Sequence, residues 1–127
     1  MGAIGGLLSG AIAFYANIDA GMDAALIPAL KQFIYSMLVG GTLVRITERI
    51  SISLDKKTLS ILFATIVPVT ITTILISSIH LFKGTPNPLQ TIIYTAAPTP
   101  FGFFIIAYFK RSRFDKKRHN VQRQNLV

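Results

Sequence analysis

From Thr58 to Phe82 the chain carries no Asp, Glu, Lys or Arg, and within that run only His80 titrates near neutral pH. About 20 mostly apolar residues are enough for a helix to cross a hydrocarbon core of roughly 30 Å. A run this long without charge is hard to place in a small soluble domain, whose large relative surface needs a charged skin. The whole sequence repeats the point: it is 51% apolar and 14% charged, against about 25% charged for an ordinary soluble domain. The charges are also segregated. Most of the 13 Lys and Arg lie between Arg45 and Lys57 or beyond Phe109.

Four stretches meet or approach the length of a membrane span: residues 2–18, 24–44, 58–82 and 90–109. The first closes at Asp19 and is short. No basic residue precedes it after Met1, so it reads as a span and not as a cleavable leader. The connections then set the orientation. Arg45, Arg49, Lys56 and Lys57 lie between the second and third spans, and Lys110 opens a basic tail. The other two connections hold Lys83 alone. Basic residues stay on the cytoplasmic side. The expected protein is therefore all-α and polytopic: a four-transmembrane-helix bundle over residues 1–109 and a basic cytoplasmic tail over 110–127. Both termini are expected in the cytoplasm, with a bacterial inner membrane as the expected location.

Several functions are disfavoured at once. The net charge of +8 invites a nucleic-acid reading. The aromatic residues, however, sit in the apolar runs, with Phe114 alone inside the basic tail, so no nucleic-acid partner is expected. With no Cys there is no disulfide, thiolate nucleophile or Cys-based metal site. No Ser–His–Asp set falls on one side of the membrane. No catalytic residue, metal or cofactor is expected, and the chain does not read as an enzyme.

Each span carries its own signal. In the first, Gly2, Gly6 and Gly10 recur at spacing four, beside a second small ridge of Gly5, Ser9 and Ala13. Such faces let helix backbones approach closely in lipid, here on another span or on a second copy. In the second, Lys31 lies about 10 Å inside a helix that begins at Ala24, a costly position that points to function. A helix beginning at Pro28 would instead put it near the interface, its stem reaching water. Gln32 and Tyr35 fall on nearby faces. In the third span, Thr70, Thr73, Ser77 and His80 share a face. Their hydroxyls serve helix contacts, or they line a hydrated path with His80 at its outer mouth.

The fourth span holds Pro98 and Pro100, which a regular helix does not accommodate without freeing carbonyls. Discontinuous helices of this kind line transporter sites, and the run from Ala97 to Gly102 is the best pointer to function in the chain. The segment after Val44 extends the second helix or lies along the interface, with Glu48 open to pairing by Arg45 and Arg49. In the tail, Lys110, Arg111 and Arg113 are expected at lipid headgroups, with disorder beyond Arg118.

Together these place a polar, outward-facing vestibule at Asn17, Asp19, Asp23, Lys31, Gln32, His80, Tyr94, Pro98 and Pro100. Four helices leave little room for a pore, so a homo-oligomer or a membrane-protein partner is expected. The leading expectation is an oligomeric transporter or channel-like protein for a small solute, ion or lipid. The alternative is a non-catalytic accessory or scaffold subunit that docks through the glycine ridge. A holin-like pore former is a minor third.

Overall fold

The computed structural model describes residues 2–82 and 84–124, with residues 2 and 3 described by backbone alone. The expected contribution of Lys83, the packing of Gly2 and the last three residues therefore lie outside the description. Among the described residues every element is helical: α1 (Gly2–Tyr15), a 3-10 turn (Ile18–Ala20), α2 (Met22–Ser53), α3 (Lys57–Phe82), α4 (Pro88–Ala96) and α5 (Thr99–Gln124). By length and composition, α2, α3 and the stretch Pro88–Gln124 are each long and apolar enough to cross a membrane. With 14 residues, α1 reaches only about 21 Å at 1.5 Å per residue.

The distribution of side chains explains what surrounds the bundle. Ala13, Ala25, Ala64 and Ala107 are buried together with Gln32, Thr47, Ser60 and His80, while Leu8, Leu38, Phe63, Ile74 and Phe104 face outward. In water this arrangement would oppose the hydrophobic effect, which removes large apolar side chains from solvent. In hydrocarbon those outward residues meet no penalty. Helices then associate through small residues that allow close approach and through polar residues that bond across the interface. The packing and the helix lengths agree on a helical membrane protein.

The first helix is held by its glycines. A Cβ built on Gly6 would lie 3.1 Å from the Phe33 carbonyl, and one on Gly10 would lie 3.1 Å from that of Ala29. Part of the expected packing ridge is thus used inside the chain, against α2. At the other end of α1, Asn17 is fully buried. Its Nδ2 donates to the Ala13 carbonyl at 2.8 Å and to Thr91 Oγ1 at 2.6 Å, and its Oδ1 accepts the Asn87 N–H at 2.9 Å. One side chain thereby clasps the end of α1 to the start of α4. Gly21 then turns the chain into α2 with φ of 97°, a left-handed conformation that any Cβ would oppose. Asp23 follows in the first turn of α2, where a negative charge suits the helix dipole.

Packing within α3 follows one row. Ser60, Ala64, Pro68, Thr72, Ile76 and His80 are its buried residues, and the spacing of four is one of the natural ridges of an α-helix. This corrects the expected polar stripe: Thr70 is exposed, and Thr73 and Ser77 are only half-buried. Their hydroxyl-bearing face is not the one that carries His80 inward.

Four other expectations change. First, α2 begins at Met22 and takes Pro28 within it, so Lys31 lies well inside the helix. Second, the chain past Arg118 continues as helix to Gln124 instead of turning disordered. Third, Glu48 pairs with Lys110 at 3.2 Å, a partner from α5 that sequence proximity did not offer. Fourth, Arg111 does not face the headgroups. It is 3% exposed and donates to the carbonyls of Ser51, Leu54 and Asp55 at the end of α2.

Candidate functional site

The break between α4 and α5 falls at Ala97 and Pro98. It sets Thr95 in the last turn of α4 and Thr99 at the start of α5, and both hydroxyls return to their own backbone, at 2.6 Å to the Thr91 carbonyl and 2.7 Å to that of Ala96. These threonines border a recess of about 250 Å³. Every helix contributes to it: Ser9 from α1, Gln32, Tyr35 and Gly40 from α2, Thr72 and Ile76 from α3, Thr95 from α4, and Thr99, Phe103 and Ile106 from α5. No Asp, Glu, Lys or Arg is among its lining residues.

Two hydroxyls inside the recess are unusual. The Tyr35 hydroxyl and Thr72 Oγ1 are both buried, and neither has a hydrogen-bond partner. They face one another closely enough to interact, without meeting the geometry of a full hydrogen bond. On the same helix Thr65, Thr70 and Ser78 bond back one turn, Thr65 to the Ile61 carbonyl at 2.9 Å and Thr70 to that of Ile66 at 3.0 Å. Thr72 does not, although this back-bond is the ordinary way to satisfy such a group. A buried hydroxyl without a partner costs about 1–3 kcal/mol. Each of the two facing hydroxyls keeps donor or acceptor capacity beyond the other.

Gln32 lines the recess, and His80, which is not among the lining residues, pairs with it from behind. Both are buried, Gln32 at 1% exposure and His80 at 0%. The ring sits 3.2 Å from Gln32 Oε1 through Nε2 and 2.9 Å from Thr85 Oγ1 through Nδ1. The amide oxygen only accepts, so Nε2 donates to it, while the Thr85 hydroxyl can either donate to or accept from Nδ1. Lys31 precedes Gln32 on α2.

Of the expected vestibule, the structure brings together Gln32 and His80, with Lys31 beside them. It does not assemble the rest. Asp19, Asp23, Pro98 and Pro100 are exposed, and Tyr94 is 47% exposed. The prolines act indirectly, by breaking the helix so that Thr95 and Thr99 reach the recess. Asn17, though buried, serves the clasp between α1 and α4. What the sequence did not single out is the role of Thr72, whose signal was its spacing of eight from His80 along the buried row. At the opposite end, Lys110 and Arg113 border a groove of about 520 Å³ with Phe109, Phe114 and Lys117, whereas Arg111 is buried. Among the described residues no three metal-ligating side chains gather.

No family model, curated protein or solved structure matches the chain.

Proposed function

We propose that the chain is a four-crossing membrane protein with both termini in the cytoplasm, and that its recess binds a small molecule which the protein moves across or within the bilayer. The observation that carries this is the pair of unpartnered hydroxyls of Tyr35 and Thr72 in a recess to which every helix contributes. The break between α4 and α5 beside it supports the same reading, because irregular backbone inside a membrane is tolerated where protein or a cavity satisfies it. An uncharged lining favours a neutral hydrogen-bonding cargo over an ion, since nothing in it would replace a hydration shell's charge complement. Oligomerisation remains part of the proposal, because four crossings leave little room for a pore.

The accessory-subunit reading loses its expected docking face, because Gly6 and Gly10 are already packed on α2.

Topology is testable without background, as the chain has no Cys. Single cysteines at Asp19 and Pro86 are expected to react with a membrane-impermeant maleimide in intact cells. Cysteines at Lys56 and Asn120 should react only after permeabilisation. Labelling of Lys56→Cys and Asn120→Cys on opposite sides would remove the four-crossing count. For transport, purified protein in liposomes is expected to pass small neutral solutes or lipid analogues. Gly40→Leu should abolish that flux, because a Cβ at Gly40 meets nothing within 4 Å and grows into the recess. Flux that is unchanged in this variant, or absent from the native protein for every cargo, would end the transport reading.

A further inference from the structure

We infer that the recess takes the uncharged polar head of a membrane-dissolved amphipath, an alcohol or carbonyl group on an apolar chain, which enters sideways between α1 and α5. This deepens the reading above and rests on the recess being a binding site.

Three observations carry it. The first is the route. α1 packs on α2 and α4, and α5 on α2 and α3, but α1 and α5 do not pack along one another. Both nonetheless border the recess, through Gly5 and Ser9 on one side and Phe103 and Ile106 on the other. Gly5 and Gly40 each have nothing within 4 Å of an added Cβ. The flank between α1 and α5 is thus left open by the missing side chains, toward the same surroundings that Leu7, Leu8 and Phe104 face.

The second is the chemistry of the lining. Thr72 is 4% exposed, and its hydroxyl and that of Tyr35 have unused donor and acceptor capacity. Below them the recess is apolar, with Leu43, Val44 and Ile106. A polar head with an apolar stem matches this gradient, and a charged head has no partner there.

The third is size. An apolar cavity of about 150 Å³ accepts a benzene ring, so about 250 Å³ admits a head group and several carbons.

The test uses the full chain in phosphatidylcholine nanodiscs with three diazirine probes of equal chain length: a fatty alcohol, the corresponding alkane and a fatty sulfate. The alcohol is expected to label the segments around Gly40 and Phe103–Ile106, with the sulfate excluded. Tyr35→Phe combined with Thr72→Val removes only the hydroxyls and keeps the shape. It should lower alcohol labelling about tenfold, as expected for two lost hydrogen bonds, and leave alkane labelling unchanged. Gly40→Leu should lower both. If Gly40→Leu fails to fold, the hydroxyl variant decides alone. Equal labelling by alcohol and sulfate, labelling spread over the outer faces at Ile34 and Leu38, or crosslinks between two copies through the recess would each overturn the inference. Solute flux blocked by Gly40→Leu without alcohol labelling would also overturn it, while leaving the transport reading intact. Labelling as expected without flux of any cargo would uphold the inference and end the transport reading.

Discussion

Arg111→Met is expected to destabilise the protein by about 1–3 kcal/mol. The last carbonyls of a helix have no partner within it, and Arg111 supplies one for α2. Its fork reaches the Ser51 and Leu54 carbonyls through Nη1 and that of Asp55 at 2.8 Å through Nη2. A guanidinium also suits the negative end of the helix dipole. Because the side chain is almost wholly buried, its removal withdraws all of these charge-assisted bonds together, although the Ser51 carbonyl keeps the Ser60 hydroxyl at 2.8 Å and Leu54 and Asp55 are exposed and regain water. Methionine fills the space of the stem, so no cavity adds to the loss. Arg111→Lys is expected to restore less than half, since one ammonium does not span the fork. The bond from Arg111 to Asp115, whose side chain is 36% exposed, contributes under about 1 kcal/mol, so Asp115→Ala should be mild. Unfolding in mixed micelles by increasing SDS, followed by circular dichroism, measures all three. If Arg111→Met stays within about 0.5 kcal/mol of the native protein, the guanidinium is not what fastens α5 to the α2–α3 corner.

Arg111 also shows where reading the sequence stops. It stands between Lys110 and Arg113 in a basic run, and nothing in residue type distinguishes it from them. Its partners are backbone carbonyls, which leave no mark in sequence. The same limit applies to the inward faces. In a soluble helix, large apolar residues trace the buried side. Here Leu and Ile face outward, and the buried row of α3 is Ser60, Ala64, Pro68, Thr72, Ile76 and His80. A stripe drawn through Thr70, Thr73 and Ser77 reached His80 but took the wrong side of the helix on the way. Gln32 and His80 are 48 residues apart, and each was legible only as a polar residue in an apolar run. Their pairing had to come from the packing. What residue type did carry was the helical membrane class, from the charge-free run Thr58–Phe82, and the break at Pro98, because proline chemistry is local.

Gly10→Leu is expected to destabilise the protein by at least about 3 kcal/mol, while Gly5→Leu, on the same helix, should stay within about 0.5 kcal/mol. The two differ only in what lies above the Cα. At Gly10 the first added carbon already meets the Ala29 carbonyl at 3.1 Å and Phe33 Cβ at 3.3 Å. Both belong to the body of α2, which does not yield as the tip of a flexible side chain would. α1 must therefore lift away from its principal partner and lose the close approach that holds helices together in lipid. At Gly5 an added Cβ meets nothing within 4 Å, so leucine extends into the open recess. SDS unfolding of the pair separates a packed glycine from an open one. Equal losses at both positions would show that the face of α1 has been assigned wrongly. A Gly10→Leu protein that keeps native stability but loses a membrane partner on purification would mean that the ridge binds outside the chain. The accessory-subunit reading would then replace the transport one, because the ridge cannot clasp α2 and serve as a free docking face at the same time.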